Sequence, residues 1–151
     1  MKPSARGKNS PIPPEILASL RRFFAQESSV AAAYLFGSQA EGTSRPASDI
    51  DLAVILAAGL KTEAAFWERV RLLGRLEEML SPQKVDLVDL ERVPPLLAHE
   101  ILRHAVLLYE GDPDRRVLVE AKRQDEYLDF LPRLQSYRKE VLGLDGPGTP
   151  R

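Results

Sequence analysis

Blocks of apolar and polar residues along the chain predict a domain that mixes strands and helices. Four short, nearly continuous apolar runs are typical of buried strands, and they cover Val30 to Phe36, Asp49 to Leu56, Lys84 to Leu90 and Val106 to Tyr109. Apolar residues at helical spacing predict helices, from Pro13 to about Glu27, Thr62 to Leu80, Pro94 to His104 and Asp112 to about Leu142. This order predicts an α/β (α+β) fold in which helices flank a small mixed sheet of about four strands.

The two longer helices differ in how their apolar residues are expected to be used. In the helix from Thr62 to Leu80, with Thr62 as its expected N-cap, one stripe should face the core, formed by Phe66, Val70, Leu73, Leu76 and Leu80. Trp67 lies beside this stripe, and we expect it to pack in the core rather than to stack on a base. The long C-terminal helix carries more apolar surface than one small sheet needs, so it either packs on the core or docks a partner.

Length and charge predict a single domain that does not hold nucleic acid. The chain has 151 residues, 21 of them basic and 22 acidic, with a formal charge of −1, whereas domains that bind phosphate backbones are strongly basic. One core over residues 13–142 suits this length, and the polar stretches 1–12 and 143–151 are expected to be flexible tails. The lack of cysteine, and of any apolar run long enough to span a bilayer, predicts a cytoplasmic protein with no membrane partner.

The stretch that carries chemistry is YLFGSQAEGTSRPASDIDLAVIL, which begins at Tyr34. Gly37 and Ser38 follow the first strand, where glycine lets the backbone approach a ligand closely and where N–H groups and a hydroxyl can bind phosphate oxygens. Asp49 and Asp51 open the second strand, and side chains two apart in a strand share one face. Two acids without a basic partner between them suit a hard cation such as Mg²⁺. The alternative is an ordinary turn followed by a surface aspartate pair.

This glycine-serine pair, followed after ten residues by D-x-D, resembles the signature of the polymerase-beta-type nucleotidyltransferase superfamily. In detail, GSQAEGTSRPASDIDLAVIL is similar to its small bacterial branch, the minimal nucleotidyltransferase (MNT) proteins, and the likeness extends roughly from Phe23 to Tyr109. The resemblance implies the polymerase-beta nucleotidyltransferase fold. It also implies a third acid on a neighbouring strand, and Asp86 matches that place, with a plain edge-strand charge as the alternative. Asp89, three residues on, should face the other side of its strand or end it.

The resemblance also implies an activity and a partner. The acids Asp49, Asp51 and Asp86 would hold two Mg²⁺ ions, and Gly37 with Ser38 would bind the phosphates of ATP. MNT proteins commonly occur as antitoxins paired with HEPN toxins, and members of this kind transfer AMP from ATP onto a tyrosine of the toxin, which blocks its ribonuclease activity. The implied function is therefore that of a protein adenylyltransferase whose partner is a HEPN-domain toxin encoded by an adjacent gene.

Two other functions stay open at this point. One is a nucleotidyltransferase that modifies a small molecule such as an aminoglycoside, although that group usually adds a helical domain for which this chain has little room. The other is a non-catalytic antitoxin that acts by complex formation alone. The clustered acids argue against it, because a module that needs only its surface has no chemical use for metal-binding carboxylates.

Overall fold

The computed structural model describes residues 12–37, 40 and 49–143. Its helices and strands are α1 (Pro14–Ala25), β1 (Val30–Phe36), β2 (Ile50–Leu56), α2 (Thr62–Leu80), β3 (Val85–Asp89), α3 (Pro95–His104), β4 (Val106–Glu110) and α4 (Pro113–Leu142). The described strands form a four-stranded sheet in the order β3-β2-β1-β4. β1 is antiparallel to both β2 and β4, while β2 and β3 are parallel. The predicted mixed sheet with flanking helices and a long C-terminal helix is confirmed.

Only the inner ends of the two predicted tails belong to the described residues. Ile12 is buried, at 3% exposure, in the core that α1 helps to form. Gly143 follows α4 in the left-handed conformation, with φ at 64°. The remainder of both tails lies outside the part of the chain that the structure describes.

Helices cover both faces of the sheet. On one face α1 and α2 pack against alternate strand residues, among them Leu35, Ile50, Leu52, Val54 and Leu87. On the other face α3 and the start of α4 cover the intervening residues, among them Tyr34, Ala53 and Ile55. Because both faces are covered, β1 and β2 are apolar along nearly their whole length instead of alternating with polar residues.

The buried side of α2 differs from the predicted one. Its buried residues are Ala65, Leu72, Leu76 and Leu80. Phe66, Trp67 and Val70 are 47%, 60% and 37% exposed, so the predictions that these three residues pack in the core are wrong. The small Ala65 faces the sheet. Each following residue is turned by about 100° around the helix, so Phe66 and Trp67 point away from the sheet. The N-cap is Lys61 and makes no side-chain capping bond, so the prediction that Thr62 caps the helix is wrong as well.

Polar contacts fix the start of α4 to the sheet. Asp112 caps the helix as predicted, because its Oδ1 accepts a hydrogen bond from the Arg115 N–H at 3.0 Å. The Tyr34 hydroxyl, within β1, donates to Glu120 Oε1 at 2.6 Å, and Arg116 pairs with the other oxygen of Glu120 at 2.9 Å. Burial, followed by the bond to Glu120, raises the pKa of Tyr34 far above its usual value. The first turns of α4 are therefore held by a partly buried network.

The later part of α4 extends beyond the buried core. Val119 and Arg123 are its buried residues, and none of residues 124–142 is buried. At 1.5 Å per residue, this exposed part is about 28 Å long. Even so, no helix in the described part of the chain is long and apolar enough to cross a membrane.

Candidate active site

The register of the sheet brings the three predicted acids together. Asp51 is the second residue of β2, and parallel pairing aligns it with Asp86 of β3, on strands about 4.8 Å apart. Asp49 comes just before β2 and, being two residues from Asp51, shares its face of the sheet. Ile50, between them, is fully buried on the opposite face. The three residues consequently neighbour one another at one end of the sheet.

Asp51 is electrostatically coupled to both of the other acids. The pKa of its carboxyl is raised above the ordinary 3.8, first by burial, then by the negative charge of Asp86 and then by that of Asp49. Every one of these causes disfavours the charged form. A cation among the three carboxylates would offset this repulsion and favour the charged form of Asp51.

The donor set fits a hard divalent cation, but the side chains are not gathered around one point. Within the described residues, no group of three or more His, Cys, Asp or Glu side chains is arranged to hold a metal ion. Asp49 and Asp86 are nevertheless exposed, and exposed side chains change rotamer within nanoseconds. Carboxylate oxygens are also the ligands that Mg²⁺ prefers. An ion could therefore draw Asp49 and Asp86 towards Asp51 without moving the strands.

Gly37 directly follows β1 and lies beside Asp51. Two structural features require a glycine at this position. Its φ is 72°, in the left-handed region that side chains disfavour. A Cβ at this position would overlap Oδ2 of Asp51 and lie 3.1 Å from its Cγ. The cause is the register, since Phe36 pairs with Asp51 and the next residue passes the carboxylate. Phosphate binding by Gly37 stays a prediction, and Ser38 lies outside the described residues.

Asp89, the next acid along β3, has a structural role. It is 5% exposed. Its Oδ2 accepts from Arg92 at 2.8 Å and its Oδ1 accepts from the Glu91 N–H at 3.0 Å. These bonds hold the turn that follows β3, which agrees with the expectation that Asp89 would end the strand or face away from Asp86.

The sequence did not predict a groove of about 410 Å³ that runs beside β3, which is one of the two edge strands of the described sheet. We call it the β3 groove. Its lining includes Phe66 and Arg69 of α2, Asp86 of β3, and Arg92 of the following turn. Asp86 is thus the one acid of the three that also lines this groove. If the buried stripe of α2 had been predicted to begin at Ala65 instead of Phe66, Phe66 would have been expected at the surface, beside this groove.

Known proteins share the sequence and the fold. Residues 18–114 match the family model described as polymerase beta, nucleotidyltransferase. The chain is 38% identical over 109 residues to the protein adenylyltransferase MntA of Shewanella oneidensis, covering 72% of this chain and 71% of that protein. A chain in the crystal structure of a toxin-antitoxin with AMP-PNP has a TM-score of 0.60 at 27% identity, covering 87% of this chain and 97% of that one.

A further structure supports the fold alone. It contains an MNT antitoxin in complex with a tri-AMPylated HEPN toxin from Shewanella oneidensis, with a TM-score of 0.55 at 24% identity over 84% of this chain and 92% of that one. The segment that carries the three acids lies inside the family match. The chain therefore belongs to the polymerase beta nucleotidyltransferase family, in its branch of MntA-like minimal nucleotidyltransferases, and is a nucleotidyltransferase.

Proposed function

We propose that this chain is an antitoxin that transfers AMP from ATP onto a tyrosine hydroxyl of a HEPN ribonuclease toxin encoded by an adjacent gene. The observation that carries the proposal is the set of Asp49, Asp51 and Asp86 beside Gly37. The relative MntA is named a protein adenylyltransferase, and a similar toxin-antitoxin structure contains AMP-PNP. A HEPN toxin complexed with an MNT antitoxin is itself AMPylated.

The three acids would hold two Mg²⁺ ions. When bound, these ions supply positive charge to the phosphates and lower the pKa of the acceptor hydroxyl. Asp51 lies between Asp49 and Asp86, so its carboxylate is the one placed to be shared. Burial and the charges of Asp86 and Asp49 raise the pKa of Asp51, and a cation there would offset both effects. Gly37, on the β1 side of Asp51, would hold the terminal phosphates of ATP, and Ser38, which lies outside the described residues, is expected to bind them as well.

The transfer is a single displacement at phosphorus. The tyrosine oxygen forms a bond to the α-phosphorus, the bond from that phosphorus to its bridging oxygen breaks, and pyrophosphate leaves with the electron pair. The hydroxyl proton passes to the carboxylate of Asp86 and from there to solvent. A base is needed because a free tyrosine has a pKa of about 10 and is protonated at neutral pH.

The test is the intact mass of the partner protein after incubation with this chain, ATP and Mg²⁺. We expect a gain of whole AMP units with the wild-type chain, and none with Asp49→Asn or Asp51→Asn. Asp125→Asn is the matched control, since Asp125 is an exposed acid on α4 far along the chain from the site. It should modify the partner as the wild type does.

Each other outcome points to a different function. Modification that persists in both Asp49→Asn and Asp51→Asn would refute the assigned roles of these acids. An unchanged mass despite a tight complex would mean that the chain neutralises its partner by binding alone. Peptide mapping of the modified partner then decides whether the acceptor is a tyrosine or another hydroxyl.

A further inference from the structure

The exposed part of α4 carries a stripe of apolar residues at regular intervals. Five of its apolar residues recur at alternating steps of three and four, namely Tyr127, Phe130, Leu134, Tyr137 and Val141. Residues at these steps lie on one side of a helix. The same spacing defines the a and d positions of a coiled coil, where the side chains of two helices interlock. The stripe therefore has the form of a surface that packs against another helix.

Helix α3 covers only the beginning of this stripe. His99 of α3 stacks on Tyr127, with ring centroids 3.7 Å apart and ring planes 3° from parallel. We call the four residues that follow the α4 seam, which consists of Phe130, Leu134, Tyr137 and Val141. None of the four is buried, and Tyr137 and Val141 are each 58% exposed. The described helices thus leave much of the α4 seam in contact with solvent.

The side of α4 opposite the seam is polar. It includes Asp125, Pro132 and Lys139, which are spaced by seven residues and are all exposed. Proline lacks the N–H that a helix interior uses, and Pro132 stands within α4. Because it lies on the outer side, its ring stays away from the seam, and the apolar spacing continues past it without interruption.

The charges beside the α4 seam indicate which helix covers it. Arg133 and Glu140 flank the same edge of the seam, seven residues apart, and both are exposed. Neither forms an ion pair with another residue in the described part of the chain. In an antiparallel pair of identical helices, this edge of one copy meets the same edge of the other. When Leu134 lies opposite Tyr137 of the second copy, Arg133 comes beside Glu140 of that copy, and the symmetry repeats the contact. Such flanking charges set the orientation of paired helices.

Other arrangements of two copies bring like charges together. In a parallel pair, the residue at the Arg133 position faces the residue five further along the other helix, which is Arg138. In an antiparallel pair shifted by one heptad, with Leu134 opposite Phe130, the two Arg133 side chains face each other. Only the first register joins opposite charges among these three. It also places each aromatic ring of the seam opposite an aliphatic side chain, Phe130 against Val141 and Tyr137 against Leu134.

We propose that the chain forms a homodimer in which the α4 seams of two copies pack antiparallel, with Arg133 of one copy beside Glu140 of the other. The centre of the paired region lies between Gln135 and Ser136, so the two sheets lie at opposite ends of the paired helices. With four seam residues per copy the contact is small, and we expect a dissociation constant on the order of 10 μM. This inference goes beyond the proposed function and does not depend on it.

The experiment is sedimentation equilibrium of the full chain at concentrations from about 1 to 200 μM, which span the expected dissociation constant. The wild type should shift from monomer to dimer over this range. Arg133→Glu and Glu140→Arg should each weaken the dimer about tenfold, because each replaces two attractions by two repulsions. The combined variant restores opposite charges and should return to within about twofold of the wild type. Both residues are exposed, so the variants should fold, which thermal unfolding curves check.

Lys139→Glu is the matched control, since it makes the same change of charge on the opposite side of α4 and should leave the dimer unchanged. A wild-type chain that stays monomeric at the highest concentration would overturn the proposal. A dimer that tightens in Arg133→Glu would be parallel, and one indifferent to both single variants would use another surface; either result refutes the assigned contact. If the monomeric wild type binds the HEPN-domain partner and Tyr137→Ser weakens that complex, the seam belongs to the partner and not to a second copy.

Discussion

Replacing Gly37 by alanine tests whether this glycine is required by its conformation, by its contact with Asp51, or by both. A side chain in the left-handed region costs about 1–2 kcal/mol. The added Cβ would also overlap Oδ2 of Asp51, and displacing that carboxylate from its rotamer costs about 1 kcal/mol more. Gly37→Ala should therefore destabilise the fold by about 2–3 kcal/mol, or about 4–12 °C in Tm for a chain of this size.

Gly59→Ala is the matched control for the conformational part of this cost. Gly59 also has a positive φ, of 90°, but a Cβ there would have no neighbour within 4 Å. We expect Gly59→Ala to lose about 1–2 kcal/mol and to keep full activity. Gly37→Ala should in addition lose about a hundredfold in the rate of AMP transfer, as displacements of about 1 Å in catalytic groups do.

A double-mutant cycle isolates the contact between the two residues. Urea unfolding would be measured for Gly37→Ala, Asp51→Ala and the combined variant. With the Asp51 carboxylate removed, nothing remains for the new Cβ to displace, so the combined variant should be about 1 kcal/mol more stable than the sum of the single effects predicts. Strict additivity, together with an equal loss in Gly59→Ala, would refute the argument that Gly37 makes room for Asp51.

Two further substitutions test contacts outside the site. Asp112→Ala removes the side-chain cap of α4 and should lower the free energy of unfolding by about 1 kcal/mol, measured by urea titration with the exposed Asp125→Ala as control. Glu68→Gln tests pH dependence, because the hydrogen bond from Arg71 lowers the pKa of Glu68 below its ordinary 4.5. A lowered folded-state pKa stabilises the fold above the unfolded-state pKa and loses that effect as the pH falls through the folded value. The wild type should therefore exceed Glu68→Gln in stability at neutral pH and not at acid pH, and a difference that grows on acidification would contradict this account.

Local sequence predicted the elements well because their signals are local. Continuous apolar runs located β1 and β2, and Asp112 followed by Pro113 located the start of α4. The spacing of Asp49 and Asp51 likewise predicted that both carboxylates lie on one face of the sheet. In contrast, the alignment of Asp86 with Asp51 depends on the pairing of two strands separated by a whole helix. No local pattern sets that register, and only the family resemblance pointed to Asp86.

The errors in α2 have a physical cause of the same kind. Apolar residues occur on more than one side of this helix, so its periodicity alone does not decide which side is buried. The choice depends on how close the helix lies to β3, where Ala65 is fully buried and Arg69 reaches the Leu87 carbonyl. The contact between Gly37 and Asp51 was hidden for a similar reason, since it follows from the pairing of β1 with β2.

The position of each acid in the sheet sets how exposed its carboxylate is. Asp51 lies on a strand that has a neighbour on each side, so its carboxylate is held between Gly37 and Asp86. Asp86 lies on an edge strand, where no further described strand blocks its outer side. Asp51 is therefore half-buried, whereas Asp86 stays exposed.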